Sequence, residues 1–155
     1  MCTSRLRERV PSCEVVTTAR LPGYKLCFHK RSSDESSKCN AFQTGSDSDV
    51  IWGVVFNIPP SEKQTLDRAE GLGKGYNEKI VDVITPSGDH VTAITYYTDK
   101  TAIAEGLSPY SWYKELVLNG AMEHGLPPEY IASLIEAVTT IKDPDVSRDK
   151  RNRFN

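Results

Sequence analysis

The apolar run from Val50 to Ile58 constrains the fold of this chain more than any other feature of its sequence. Apart from Asn57, the run is apolar on both of the faces that a strand would present. Such a run is typical of a strand that is covered on both sides, so we expect Val50–Ile58 to be central and buried. Pro59 and Pro60 end the strand, because proline has no N–H to give to a sheet.

The rest of the chain predicts an α+β domain around this strand. Residues 29–49 are polar and predict a functional or mobile loop, since long connections without structure are uncommon inside a domain. Strands followed by helices, with a hairpin turn at residues 86–89, favour α+β over a doubly wound fold. Further strands are predicted at Glu14–Thr18, Tyr24–Phe28, Lys79–Thr85 and His90–Tyr97, and helices at Thr3–Val10, Ser61–Glu70, Ser111–Gly125 and from Pro128 onward.

Length and composition predict one cytoplasmic domain. The 155 residues correspond to about one domain, which we place at residues 1–141. Beyond it, residues 142–155 predict a charged, flexible tail, because eight of these fourteen residues are charged. No secretory signal follows Met1, and no apolar run approaches the roughly 18 residues of a membrane span. A net charge of −2 is not the basic balance of a nucleic-acid binder. The four cysteines form no C-x-x-C pair and the three histidines are isolated, so no metal site is expected.

The glycine-rich stretch from Gly71 to Tyr76 has the composition of a phosphate-binding loop but not its order. Lys74 is followed by Gly75 rather than by Ser or Thr, and a helix rather than a strand precedes the stretch, which excludes a P-loop. Tyr76 occupies the place of the third glycine in a dinucleotide-binding fingerprint. The stretch therefore predicts a flexible turn after a helix that ends at Gly71.

Glu70 is a candidate proton carrier because of its position. It is the last residue of a predicted helix, where the helix dipole disfavours a carboxylate, and this predicts a raised pKa. A solvated surface glutamate is the simpler alternative. Five of the seven tyrosines lie between Tyr76 and Tyr113, where their hydroxyls either orient a polar ligand or are satisfied in the core. The basic run Arg5–Arg9 predicts a solvated helix face.

Three blocks of the sequence carry a resemblance to a known family. They are Val50-Ile-Trp-Gly-Val-Val-Phe56, Leu66-Asp-Arg-Ala-Glu-Gly-Leu-Gly-Lys-Gly-Tyr76, and Ser111-Trp-Tyr-Lys114 followed by Gly120-Ala-Met-Glu-His-Gly-Leu-Pro127. Together they resemble the gamma-glutamylcyclotransferase family over residues 1 to 135, and the second block is the most specific. The resemblance implies a small mixed β-barrel with flanking helices. The first strand of that barrel, with a Tyr-Gly-Ser-Asn loop, would lie upstream of Met1.

The same resemblance implies an enzyme that cyclises γ-glutamyl compounds to 5-oxoproline and releases a free amine or amino acid. Glu70 falls on the acid/base glutamate of the family, and Tyr76, Tyr96 and Tyr113 fall on positions that line its substrate cavity. No metal, organic cofactor, nucleic acid or membrane is implied, and a homodimer is compatible with the resemblance. Two alternatives stay open. One is an inactive or ligand-binding relative without the N-terminal glycine loop, and the other is a gamma-glutamyl hydrolase or transferase that uses the same pocket.

Overall fold

The computed structural model describes residues 2–153, so the strand and loop expected upstream of Met1 lie outside the described part of the chain. Its strands form one four-stranded sheet in the order β4-β1-β5-β6 and one hairpin of β2 with β3. Along the chain these strands are β1 (Glu14–Pro22), β2 (Tyr24–Arg31), β3 (Ser37–Gln43), β4 (Val50–Asn57), β5 (Tyr76–Ile84) and β6 (His90–Thr98).

The sheet is not closed into a barrel, so the expectation of a small mixed barrel is wrong in this respect. β1 pairs with β4 along its whole length, whereas β1 and β5 share the single pair Arg20↔Ile84. Beyond that pair the two strands separate, and a barrel requires continuous pairing around the ring. The pairings between the strands of each sheet are antiparallel. The α+β class itself is confirmed.

Strand β4 lies at an edge of its sheet, so the prediction of a central strand is wrong. Apart from the exposed Asn57, its residues are half-buried. Its two faces are apolar because both are covered: Val55 packs on the core of the sheet, Trp52 on the C-terminal helices and Phe56 on a third cluster. An apolar sequence indicates that both faces of a strand are covered. It does not indicate whether the strand has a neighbour on both edges.

Residues 29–49 contain the end of β2 and the whole of β3, so the prediction of a loop there is also wrong. β3 is polar, and both the oxygen and the nitrogen of its buried Asn40 side chain form hydrogen bonds. The Thr98 backbone N–H donates to Asn40 Oδ1 at 2.8 Å, and the Asn40 amide nitrogen lies 2.8 Å from His29 Nε2. Because this part of the strand is held by hydrogen bonds rather than by apolar packing, its polar composition does not predict a strand.

The helices are α1 (Thr3–Arg7), α2 (Pro60–Glu70), α3 (Ser111–Glu123), α4 (Pro128–Ile131) and α5 (Val146–Arg153), with a π turn at Ala132–Glu136 after α4. α2 ends as predicted at Gly71, whose φ of 79° is the left-handed conformation that favours glycine. Its first residue is Pro60, one residue before the predicted start at Ser61, and no side chain caps it. Within residues 2–153, no helix combines the length and the apolar character that crossing a membrane requires.

Helix α5 lies in the segment that was expected to be a flexible tail. Asp143, just before the helix, is buried and accepts hydrogen bonds from the Arg148 guanidinium and from the Trp112 indole of α3. These charge-assisted bonds attach a strongly charged segment to the domain. The domain boundary at residue 141 stays a prediction.

Candidate active site

Glu70, the last residue of α2, forms an ion pair with Arg9. Arg9 Nη1 donates to Glu70 Oε1 at 2.7 Å, and the two side chains are 31% and 32% exposed. The prediction of a wholly solvated helix face at Arg5–Arg9 is therefore wrong for Arg9. The arginine supplies a positive charge at the helix end where the backbone supplies a partial negative one.

The core explains why Arg9 reaches Glu70. Val10 is fully buried and packs in one cluster with Leu66 of α2. Leu66 and Glu70 are four residues apart and therefore share one face of the helix. Burial of Val10 against Leu66 thus brings the preceding residue, Arg9, beside Glu70. No sequence motif joins the two residues, which is why sequence reasoning missed this pair.

Tyr76 and Tyr113 meet at the backbone of Cys39 in β3. The Tyr76 hydroxyl donates to the Cys39 carbonyl oxygen at 2.5 Å, and the Cys39 N–H donates to the Tyr113 hydroxyl oxygen at 3.1 Å. Two tyrosines far apart in sequence therefore satisfy the free edge of this strand. Sequence reasoning missed Cys39, because its backbone rather than its side chain makes these contacts.

Burial raises the pKa of both tyrosines and keeps their hydroxyls protonated. For Tyr76, the charges of Cys39 and Glu70 add to this rise in pKa, so Glu70 lies within electrostatic reach of the Tyr76 hydroxyl. Burial also raises the pKa of the Cys39 thiol to about 12, which leaves it unsuited to nucleophilic chemistry. Among these groups, the Glu70 carboxylate is therefore the candidate for acid–base chemistry.

Tyr96, on β6, contacts α2 at a different residue from Glu70. Its hydroxyl donates to Asp67 Oδ1 at 2.5 Å, and Asp67 also pairs with Lys63 one turn earlier. Burial, together with the hydrogen bond to Asp67, raises the pKa of Tyr96. The structure therefore brings Tyr76 and Tyr113 to one point, and it places the Tyr96 hydroxyl at the helix that carries Glu70.

A half-buried lysine, Lys38, lies beside the rings of Tyr113 and Trp112. Lys38 Nζ lies 4.8 Å from the centre of the Tyr113 ring and 4.9 Å from that of Trp112, and it donates to Asp34 at 2.8 Å. Burial favours the neutral acid, but the hydrogen bonds from Lys38 and Ser36 outweigh it and hold the pKa of Asp34 at about 2. The spacing of four residues between Asp34 and Lys38 was visible in the sequence, although its aromatic partners were not.

Two surface clefts of about 330 and 500 Å³ lie away from these residues. Trp52, Tyr130 and Leu134 line the larger cleft, and Arg31 and Leu107 the smaller. Glu70, Tyr76, Tyr96 and Tyr113 line neither of them. Within residues 2–153, no three His, Cys, Asp or Glu side chains are grouped in a way that could hold a metal ion.

The fold and these side chains define a small α+β protein with a partly exposed carboxylate at the end of a helix. Similarity to known proteins makes the class specific. The model of the AIG2-like family matches residues 50–134, the range that contains Glu70 and the three tyrosines. The gamma-glutamylcyclotransferases of Bos taurus and Homo sapiens are each 33% identical to this chain, over 84% of it and 70% of their own length. A solved structure of a gamma-glutamyl cyclotransferase superposes with a TM-score of 0.80 at 32% identity, covering 90% of this chain and 82% of that one. The chain belongs to the AIG2-like family and, within it, to the gamma-glutamylcyclotransferases.

Proposed function

We propose that this protein converts γ-glutamyl compounds into 5-oxoproline and a free amine or amino acid, with Glu70 as the general acid/base. The observation that carries the proposal is the Arg9–Glu70 pair at the end of α2. It holds a partly exposed carboxylate in a fixed place, inside the range that the family model matches. A homodimer and a cytoplasmic location remain predictions from the sequence.

The chemistry needs one group that first takes a proton and then returns it. The α-amine of a γ-glutamyl compound is protonated near pH 7 and cannot attack in that form. The Glu70 carboxylate takes a proton from it, and the freed nitrogen attacks the γ-carbonyl carbon of the same molecule. The bond from that carbon to the leaving nitrogen then breaks as the protonated Glu70 gives its proton to the leaving nitrogen. The ring nitrogen loses its second proton to the released amine, which departs as an ammonium ion.

The protein contributes mainly to geometry. Ring closure joins two ends of one molecule, so much of the entropic barrier is removed once the substrate is held in a folded conformation. In this proposal Tyr76, Tyr96 and Tyr113 hold that conformation. Their hydroxyls are fixed by Cys39 and Asp67, and fixed side chains lose little entropy when a ligand binds. No step requires a metal or an organic cofactor.

Product analysis tests the proposal. Purified protein is incubated with γ-glutamyl-alanine and with γ-glutamyl amines, and the products are separated by chromatography and identified by mass spectrometry. We expect 5-oxoproline together with free alanine or amine in equal amounts. Free glutamate instead would identify a hydrolase, and a new γ-glutamyl peptide would identify a transferase. Absence of any product would identify an inactive relative, and each of these three results would overturn the proposal.

A further inference from the structure

The Arg9–Glu70 pair leaves most of its hydrogen-bonding capacity unused. The contact joins Arg9 Nη1 to Glu70 Oε1. Within residues 2–153, the second oxygen of Glu70 and the Nε and Nη2 groups of Arg9 have no hydrogen-bond partner in the protein, although about a third of each side chain is exposed. Free donors therefore lie next to a free acceptor on one accessible edge.

The substrate class of the proposed function carries the complementary groups. A γ-glutamyl head has an ammonium and a carboxylate on the same α-carbon. If Glu70 takes the ammonium, the α-carboxylate must come close to Glu70 as well, and two carboxylates without a cation between them repel each other. A guanidinium beside Glu70 removes that repulsion and can bind the incoming carboxylate through two parallel hydrogen bonds.

We infer that Arg9 binds the α-carboxylate of the substrate while Glu70 takes its α-ammonium group, so that the pair is a receptor for the zwitterionic head of a γ-glutamyl compound. The inference rests on the proposed function, because it assigns the amine to Glu70. Another cation of this region, Lys30, lies 4.9 Å from the centre of the Tyr76 ring. Arg9 is the better candidate because it contacts Glu70 directly.

The test compares two substrates that differ in one group. The first is γ-glutamyl-alanine, which yields 5-oxoproline, and the second is 4-aminobutanoyl-alanine, which lacks the α-carboxylate and yields 2-pyrrolidinone. For Arg9→Gln we expect kcat/KM on the first substrate to fall about 10- to 100-fold, as the loss of hydrogen bonds to a charged group implies. On the second substrate the fall should be at least tenfold smaller. Arg9→Lys should restore part of the loss.

Matched controls make the result specific to Arg9. Arg7→Gln removes an exposed arginine from α1 and should leave both rates within about twofold of the parent protein. Equal losses on the two substrates would mean that Arg9 acts only on Glu70, and no loss would mean that it does not contact substrate. A substrate-selective loss in Lys30→Gln and not in Arg9→Gln would assign the carboxylate to Lys30. Each of these three results would overturn the inference.

Binding measurements separate this inference from the proposed function. In a Glu70→Gln background, calorimetry gives the Kd of γ-glutamyl-alanine with and without the additional Arg9→Gln change. We expect the additional change to weaken binding about 10- to 100-fold. If the unsubstituted protein forms no 5-oxoproline while binding still depends on Arg9, the proposed function fails and the receptor stands. If Arg9→Gln leaves the Kd unchanged, the receptor is wrong whatever the activity.

Discussion

The Arg9–Glu70 and Arg148–Asp143 pairs place the same two functional groups in different surroundings. The Glu70 side chain is 32% exposed and accepts one hydrogen bond, from Arg9. The Asp143 side chain is fully buried, and both of its oxygens are used. Arg148 donates to it through Nε at 2.7 Å and through Nη2 at 2.6 Å. The Trp112 indole and the backbone N–H of Asp145 each donate to it at 2.8 Å.

Both carboxylates have an arginine partner, so what distinguishes the structural pair at Asp143 from the reactive pair that we propose at Glu70 is how many of the carboxylate's hydrogen-bonding positions are filled. The hydrogen bonds from Arg148, followed by the one from Trp112, outweigh burial and hold the pKa of Asp143 far below its usual range. No lone pair is left there for a proton or a ligand. Glu70 keeps one oxygen without a protein partner among residues 2–153, and a proton carrier needs such an atom.

The strongest test of this comparison is Glu70→Gln. Glutamine keeps the shape of the side chain and still accepts a hydrogen bond from Arg9, but it cannot carry a proton. We expect the rate of 5-oxoproline formation to fall by about 10²- to 10⁴-fold, the usual contribution of a general acid/base. The free energy of unfolding should change by less than about 1 kcal/mol, since the ion pair is partly exposed. Activity and urea unfolding are measured on the same preparation.

The matched control for Glu70→Gln is Glu8→Gln, which changes an exposed glutamate close to Arg9 in the chain. It should alter neither the rate nor the stability. If Glu70→Gln retained more than about a tenth of the parent rate, the loss of activity would be smaller than the contribution of a general acid/base. That result would show that Glu70 is not the acid/base.

The converse test is Asp143→Asn, which should affect stability and not chemistry. Loss of one partner of a buried ion pair costs about 3 to 5 kcal/mol, and we expect the lower end because Arg148 is 27% exposed and can be solvated. Urea unfolding measures the cost, with the exposed Asp47→Asn as the control. A change below about 0.5 kcal/mol, which is typical of plain surface sites, would show that saturation does not matter at Asp143.

The sequence was sufficient wherever a local rule decided the structure. The end of α2 at Gly71 follows from the need for a positive φ, and the β5–β6 hairpin follows from two strand-like runs joined by a turn. Glu70 could be singled out because its position at a helix end is itself a local fact. The resemblance then supplied its role, along with the candidate tyrosines.

The features that sequence reasoning missed depend on contacts between distant residues. Strand β3 has a polar sequence because Asn40 bonds to β6 rather than to its neighbours along the chain. Arg9 reaches Glu70 through the packing of Val10, and the segment before α5 is attached to α3 by the hydrogen bond from Trp112 to Asp143. In each case a charged or polar residue binds a partner that lies at least 31 residues away in the sequence. The periodicity of apolar residues within a segment does not reveal such a partner.

A second saturated carboxylate, Asp34, extends the comparison to pH. Its pKa is about 2 in the folded protein against an ordinary value of 3.8, so the stability that it contributes is fully present above about pH 4. That contribution is lost as the pH falls through about 2. We therefore expect Asp34→Asn to be less stable than the parent protein at pH 7, and the difference to shrink steadily below pH 4. Thermal unfolding at a series of pH values measures this, and a difference that stays constant down to pH 2.5 would contradict it.

The smallest effect concerns the tyrosine hydroxyl that contacts α2 one turn before Glu70. Tyr96 donates to Asp67, which keeps Lys63 as a partner when the hydroxyl is removed. Tyr96→Phe should therefore cost about 1 kcal/mol of the free energy of unfolding, the ordinary net value of one hydrogen bond. Tyr97→Phe is the matched control, because the Tyr97 hydroxyl has no hydrogen-bond partner among residues 2–153, and it should change stability by less than about 0.5 kcal/mol. Equal costs in the two variants would mean that the contact with Asp67 adds nothing, and that α2 is held in place by its apolar face alone.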